Sequence, residues 1–284
     1  MFMFIFIYIQ YYKIGMSIEK YLHTQSDNII ELDLSNKNLT ELPDLSKYYK
    51  LTKLNISMNK LKEITNIPSI LKELKCSNNN ITNVSSLPST LEIFDCTFNK
   101  LKELPTLPIM LKVLDCSYNE ITILPIIPDG LKIFNCSDNN ITELPLLPSN
   151  LKIFECSYNC IIKLPIIPND LEELYCSYNE LIILPIIPNL IDIFNYESNP
   201  IYDIINSDDI DIINKKCNII RRFIFSYNVF KYRKQFKNFY YKRIVEPRVI
   251  RRSNPYNLLK IIEENPNTDL IEIINNFENF IDAV

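Results

Sequence analysis

Apolar and polar positions repeat every 20 residues from residue 51 to about residue 188, without insertion or deletion. A fixed period of this length is typical of a solenoid, in which each repeat packs on its neighbours. We number the positions so that Leu51 and Leu71 occupy position one. Positions one and four are leucine or phenylalanine in all repeats, and position six is cysteine or isoleucine. Positions four and six are apolar and position five between them is mostly polar. This alternation predicts a short strand with one buried face.

Position nine is asparagine in every repeat. A chain that turns inside a solenoid leaves backbone groups away from water, and an amide side chain can both donate to and accept from them. We therefore predict a hydrogen-bonded ladder along the stack. Its members are Asn59, Asn79, Asn99, Asn119, Asn139, Asn159, Asn179 and Asn199.

The second half of each repeat is aliphatic at positions eleven and fourteen, which predicts a return to the core. From Pro105 onwards two prolines stand three residues apart, as in Pro125 and Pro128. Proline fixes φ near −65°, and this spacing matches one turn of polyproline II. The return side is therefore predicted to be extended and not helical.

Residues 111–125 satisfy the pattern LxxLxLxxNxLxxLP, and in this the chain resembles leucine-rich repeat proteins over about 60% of its length. The 20-residue repeat is similar to that of secreted bacterial effectors of the Yop and Ipa type. The composition, rich in asparagine, isoleucine and lysine, is similar to that of leucine-rich repeat proteins of mimivirus-like giant DNA viruses. The resemblance implies an α/β, right-handed solenoid with parallel strands on a concave face, an extended convex side and a small helical C-terminal cap. It implies a binding surface without naming the partner.

Three segments are predicted. Residues 1–28 form an N-terminal apolar segment and cap, residues 29–200 the solenoid, and residues 201–284 a basic, aromatic helical module. Residues 1–12 are apolar but lack the basic start of a signal peptide and the length of a membrane span. Translation from Met16 and a short membrane anchor are both open explanations of this run.

Thirteen lysines and arginines lie between residues 215 and 252 beside the single acid Glu246, although the whole chain has a net charge of −4. Aromatic residues at helical spacing predict one or two helices between about residues 216 and 245, with further helices opening at Pro255 and near Thr268. The basic side chains could face water while the aromatics dock on the last repeat. They could instead bind nucleic acid, an acidic partner or a membrane surface.

Six of the eight cysteines occupy position six, where Ile56 also stands. This interchange favours buried, reduced thiols over disulfides or a metal site. Cys160 lies at a mostly polar position and is predicted to be exposed, which favours a reducing compartment. We expect a cytoplasmic location, in the host cell if the protein is viral.

Residues suited to catalysis are scarce. His23 is the only histidine, and Gly15 and Gly130 are the only glycines. The repeats therefore lack a nucleophile with a histidine base, a histidine-based metal site and a glycine-rich phosphate loop. We predict a protein that is not an enzyme and has no cofactor or metal.

Side chains at positions three, five and eight are predicted to point away from the core. Position three carries four aliphatics in line, position five carries three acids and position eight is mostly aromatic, a combination typical of protein interfaces. The predicted partner-binding residues are Ile93, Asp95, Phe98, Val113, Asp115, Tyr118, Ile133, Ile153, Glu155, Tyr158, Tyr175 and Tyr178. A competing explanation is that these side chains only support neighbouring strands.

We therefore predict a monomeric, non-catalytic scaffold that binds an unknown protein or peptide on the concave face. The partner would be apolar with basic flanks, and the basic C-terminal segment of the chain is one candidate. The alternative function is nucleic-acid or membrane-surface binding through residues 215–252. No transmembrane span is expected.

Overall fold

Each repeat contributes one three-residue strand to a parallel sheet of nine strands. The structure is a computed structural model that describes residues 18–231, with the backbone only for Phe223 and residues 225–231. The predicted parallel-strand solenoid is confirmed. In chain order the sheet contains β1 (Glu31–Asp33), β2 (Lys53–Asn55), β4 (Glu73–Lys75), β6 (Ile93–Asp95), β7 (Val113–Asp115), β8 (Ile133–Asn135), β9 (Ile153–Glu155), β10 (Glu173–Tyr175) and β11 (Ile193–Asn195).

Neighbouring strands pair equivalent positions, so Phe94 lies beside Leu114 and Leu114 beside Phe134. The hydrogen bonds between repeats continue beyond the strands. The amide of Cys96 donates to the carbonyl of Asp115 at 2.8 Å, and equivalent bonds recur along the array. The register between repeats is therefore set over about half of each repeat.

The core is a single row of side chains from positions one, four, six and eleven, all of them inaccessible to solvent or nearly so between residues 51 and 184. Phe134 and Phe154 stack within it, with ring centroids 5.4 Å apart. Each buried aliphatic or aromatic side chain contributes roughly 1.5–3 kcal/mol. Because the row is shared between neighbours, the array is the stable unit and not the single repeat.

The position-nine asparagines hydrogen-bond the turn that follows each strand. The Nδ2 of Asn139 donates to the carbonyls of Cys136 (3.2 Å), Ser137 (3.0 Å) and Cys116 (3.0 Å), the last of these in the preceding repeat. Its Oδ1 accepts from the amide of Ile121 at 2.9 Å. Equivalent bonds occur at Asn59, Asn79, Asn99, Asn119, Asn159, Asn179 and Asn199.

The return side is extended, in agreement with the predicted fold class. It also contains a second sheet, in which β3 (Glu63–Ile64) pairs with β5 (Asn83–Val84). These repeats have Thr65 and Ser85 where later repeats have proline. Proline has no amide donor. Neighbouring proline-containing repeats are therefore joined on this side by isolated parallel β-bridges, such as the one between Glu103 and Ile123.

The N-terminal end of the core is closed by a short helix, α1 (Ile18–His23), which was not predicted. Leu22 and Tyr48 are buried, and the Tyr48 hydroxyl donates to the Leu22 carbonyl at 2.9 Å. The apolar run of residues 1–12 lies outside the described residues.

The C-terminal end of the core is closed by a short helix and by the first turn of a longer one, and helical structure begins earlier than predicted. The helix α2 (Pro200–Ile205) follows Asn199 directly, and α3 (Ile210–Lys231) begins six residues before the predicted start near residue 216. Proline suits the first turn of a helix because its missing amide has no partner there. The Oδ1 of Asp209 accepts from the amides of Asp211 and Ile212, which explains the early start of α3.

Contacts of this first turn hold it to the last repeat. The side chain of Asn214 donates to the carbonyl of Ile187 at 2.8 Å and accepts from its amide at 2.9 Å. Tyr196 replaces cysteine at position six, is buried, and donates through its hydroxyl to the Ser207 carbonyl at 2.6 Å. The described part of the chain divides into two compact units after Asn214. The helices predicted beyond residue 231 lie outside the described residues.

The predicted burial of the position-six thiols is confirmed, and Cys160 is exposed. All eight cysteines are free. Burial raises the pKa of the six position-six thiols, Cys76, Cys96, Cys116, Cys136, Cys156 and Cys176. Within residues 18–231 no group of three or more potential ligand side chains is placed to hold a metal ion, and no helix is long and apolar enough to cross a bilayer.

The first prediction concerns the asparagine ladder. The substitution Asn79→Ala removes a buried amide that serves three carbonyls and the amide of Leu61. We expect a loss of about 2–4 kcal/mol in unfolding free energy, because buried backbone groups are left unsatisfied. Urea denaturation followed by circular dichroism measures this loss. The matched control is the neighbouring, exposed Asn80→Ala, and an equal effect of both substitutions would contradict the ladder's role.

The second prediction concerns thiol reactivity. The thiolate is the reactive form, so buried thiols with raised pKa values are inert in the native protein. We expect Ellman's reagent to modify one thiol per native chain and all eight cysteines in denaturant. The variant Cys160→Ser should show no rapid native reaction. Rapid modification of several thiols in that variant would show that the core opens easily.

Candidate functional site

The residues at positions three and five form one surface, which we call the strand face. All predicted partner-binding residues at these positions lie on it. Ile133 is exposed, whereas Ile93, Val113 and Ile153 are half-buried by their neighbours. The aliphatic line is therefore continuous but only partly open to solvent.

Position five also has a structural role that the sequence analysis missed. The Oδ1 of Asp95 accepts from the amide and hydroxyl of Thr97, at 3.1 and 2.7 Å. Asp115 accepts from Ser117 in the same way, and Asn135 accepts from the amide of Ser137. These are Asx turns, which guide the chain out of the strand. The occurrence of aspartate or asparagine at position five in five of the eight repeats from residue 51 was the available sequence signal.

Charge is distributed unevenly along the strand face. At its N-terminal end Glu73 pairs with Lys53 (3.6 Å) and Lys75 (2.9 Å), and these lysines lower the pKa of the Glu73 carboxyl. In the central repeats positions three and five contain no basic residue. None of the ion pairs found within residues 18–231 involves Asp115 or Glu155. The centre of the strand face is thus acidic beside an aliphatic line.

The central acids are held in a poorly solvated environment. Burial raises the pKa of Asp115, and the hydrogen bonds from Ser117 only partly oppose this effect. Burial also raises the pKa of Glu155, with smaller contributions from Asp115 and Glu173. Tyr175 donates to Glu173 at 3.0 Å. Such carboxylates favour a positively charged partner, because its charge would offset their desolvation.

Position eight forms the edge of the strand face, which we call the aromatic edge. Its residues have a left-handed backbone, with φ between 52° and 58° from Met58 to Tyr178. This conformation is unfavourable for bulky side chains. Hydrogen bonds between repeats hold it, such as the one from the amide of Tyr118 to the carbonyl of Ser137 at 3.0 Å. Asn78 and Asp138 were the sequence signal for this conformation, because both residue types tolerate it.

The aromatic edge contains two stacked pairs of rings. Phe98 and Tyr118 have centroids 4.0 Å apart with planes inclined by 9°. Tyr158 and Tyr178 have centroids 4.3 Å apart with planes inclined by 8°. Asp138 stands between the pairs and interrupts the stack. It was not among the predicted partner-binding residues.

The interruption leaves an open surface depression of about 430 Å³, which we call the notch. Its lining residues are Tyr118, Asn119, Asp138, Asn139, Asn140 and Tyr158. Asn119 is half-buried, whereas the other seven ladder asparagines are buried. Burial raises the pKa of Asp138, and its interaction with the Tyr118 side chain opposes this rise.

A second apolar surface was not predicted. Ile126, Leu146, Ile166 and Ile186 on the return side form a line that we call the return ridge, and these side chains are 90, 80, 82 and 69% exposed. Ile133, by comparison, is 38% exposed. Each ridge residue precedes an inward residue in an extended stretch between two prolines, so alternation turns it outward. The return ridge is the natural control surface for tests of the strand face.

Comparison with solved structures places the chain in a known class, that of parallel-strand solenoids with short repeats. YopM from Yersinia enterocolitica WA-314 is 33% identical with a TM-score of 0.60, and covers 62% of this chain. YopM from Yersinia pestis, described as a leucine-rich effector protein, is 34% identical with a TM-score of 0.57 and covers 60%. The functional domain of InlJ from Listeria monocytogenes, described as including a cysteine ladder, is 29% identical with a TM-score of 0.51 and covers 60%.

The chain is a leucine-rich repeat solenoid, with short repeats similar to those of YopM. It spans 39 and 49% of the two YopM chains and 44% of the InlJ chain, less than half of each. No protein-family model matches the sequence, and no curated protein matches it. The similarity to giant-virus proteins stays a sequence-based expectation.

The third prediction concerns Asp115. A carboxyl whose pKa is raised by folding destabilises the folded state once pH exceeds its unfolded pKa, and the loss is complete above the folded pKa. Asp115→Asn keeps an acceptor for Ser117, as Asn135 shows for Ser137. We expect it to stabilise the protein at pH 7 by a few tenths to about 1 kcal/mol, because solvent screens the half-buried charge, and to have no effect below about pH 3.

Urea denaturation at pH 7 and pH 3 measures this difference. The control is Asp170→Asn, which removes an exposed acid from a turn on the return side. That change should alter stability by less than about 0.5 kcal/mol at pH 7. Destabilisation by Asp115→Asn at pH 7 would show that the ionised carboxylate is needed by the fold.

Proposed function

We propose that this protein is a non-catalytic scaffold that binds a protein or peptide on its strand face. The leucine-rich repeat fold commonly mediates protein–protein interaction, and other leucine-rich repeat proteins bind protein partners. The observation that carries the proposal is the pairing of a half-open aliphatic line with half-buried acids in the central repeats. These acids, Asp115 and Glu155, have pKa values raised by burial.

The same observation sets the chemistry of the partner. An apolar segment would cover Ile93, Val113, Ile133 and Ile153, and its basic side chains would lie beside position five. Charge complementarity of this kind selects partners and speeds association more than it raises affinity. We therefore propose a partner segment in which lysine or arginine alternates with aliphatic residues.

An extended partner segment fits this surface. The aliphatic line at position three has one residue in each central repeat, and position five carries an acid in three of these four repeats, Asp95, Asp115 and Glu155. Neighbouring strands are about 4.8 Å apart, and an extended chain advances about 3.3 Å per residue. A segment of about six residues would therefore span the four central repeats. Phe98, Tyr118, Tyr158 and Tyr178 on the aromatic edge would contact its flank.

The fourth prediction tests which face binds. Peptides selected from a displayed random library against the full chain should carry lysine or arginine beside aliphatic residues. We expect Ile133→Asp to weaken their binding at least about tenfold, because it puts a charge into the apolar contact. Ile166→Asp makes the same change on the return ridge and should leave affinity within about twofold. Fluorescence anisotropy with labelled peptides measures both variants.

Circular dichroism should show that both variants fold as the wild type does. The proposal fails if Ile166→Asp abolishes binding while Ile133→Asp does not, since the return ridge would then be the binding surface. It also fails if the selected peptides are acidic.

A further inference from the structure

The notch has the features of a site for an organic cation. Phe98 covers one ring face of Tyr118, and Tyr178 covers one ring face of Tyr158. The stacked pairs lie on opposite sides of Asp138, so the two uncovered ring faces are turned towards the repeat that holds Asp138. The face of an aromatic ring is electron-rich and attracts cations.

The spacing between the two tyrosines suits one cationic group. Tyr118 and Tyr158 are two repeats apart, so their rings are separated by roughly 9–10 Å at about 4.8 Å per strand. A cation midway would lie about 5 Å from each ring, within the ~6 Å reach of a cation–π contact. A continuous stack, with an aromatic residue at position 138, would leave no such space.

Asp138 supplies the negative charge of the site. Its side chain is half-buried, and none of the salt bridges found within the described part of the chain engages it. Burial raises the pKa of its carboxyl, and the interaction with the Tyr118 side chain opposes this rise. A cation bound in the notch would lie against the rings and pair with this carboxylate.

The notch is also rigid. The amide of Asp138 donates to the Ser157 carbonyl and the amide of Tyr158 donates to the Ser177 carbonyl, both at 3.0 Å. The next residue, Asn139, belongs to the buried ladder. Because hydrogen bonds to the next repeat fix the backbones of Asp138 and Tyr158, the site requires little ordering when a ligand binds.

We propose that the notch binds the cationic side chain of an arginine or lysine from the partner, between the rings of Tyr118 and Tyr158 and against Asp138. This inference rests on the proposed binding role of the strand face, whose aromatic edge contains the notch. It adds a specificity pocket for one basic residue of the partner. Basic residues elsewhere in the partner would meet Asp115 and Glu155.

The test uses small probes, so it does not depend on finding the partner. Nα-acetyl-arginine methylamide and its lysine counterpart are titrated into the full, isotopically labelled chain, and backbone and tyrosine ring NMR shifts are followed. The citrulline analogue, neutral and nearly isosteric with arginine, is the ligand control. We expect the cations to bind with dissociation constants on the order of millimolar and to shift Tyr118, Asp138 and Tyr158.

Two variants locate the binding. Asp138→Asn removes the charge, and Tyr158→Asn removes one ring wall; asparagine tolerates the left-handed backbone at both positions, as Asn78 does in its own repeat. We expect each variant to weaken cation binding about tenfold. Asp170→Asn, which changes an exposed acid away from the notch, should leave binding unchanged.

The inference is overturned if citrulline causes the same shifts as arginine, or if the affinities for the cations are equal in wild type and Asp138→Asn. Its failure is separable from failure of the strand-face proposal. Peptide binding that is sensitive to Ile133→Asp, together with no cation binding in the notch, would leave the scaffold intact and remove only the pocket.

Discussion

The structure depends on the buried amides at position nine. Each carbonyl of a position-six cysteine, such as Cys116, accepts from its own asparagine and from the asparagine of the next repeat, at 3.1 and 3.0 Å. A carbonyl oxygen has two lone pairs, so this arrangement satisfies it fully. A residue inserted between position six and position nine would leave such groups unpaired in the core, at a cost of about 1–3 kcal/mol each. This constraint explains the constant spacing between position six and the asparagine.

The same turn determines the chemistry of the surface. To bring Asn139 into the core, the preceding residue takes a left-handed backbone, and its side chain points outward at the edge of the sheet. Hydrogen bonds between repeats offset the strain of placing Tyr118 or Tyr158 there. The backbone of the aromatic edge is therefore fixed by hydrogen bonds between repeats. Binding to it would need little conformational ordering, which favours affinity.

The two faces of the solenoid differ in kind. The return ridge has more exposed aliphatic surface, but the strand face combines aliphatic residues with the partly desolvated carboxylates of Asp115 and Glu155. Apolar surface alone promotes contact without selecting a partner. Desolvated charges select strongly, because a wrong partner leaves them unpaired. This difference is the physical reason for placing the proposed interface on the strand face.

The period, the buried positions, the parallel strands and the inward thiols followed from the sequence, because each repeat presents the same pattern to identical neighbours. The early helices, the Asx turns at position five and the return ridge depend on local hydrogen bonds and strand alternation that the repeat pattern does not reveal. The notch exists because Asp138, Tyr118 and Tyr158, 20 residues apart in sequence, lie side by side in space. Only the stacking of repeats brings two ring faces and a carboxylate to one cavity, since no single repeat contains more than one of them.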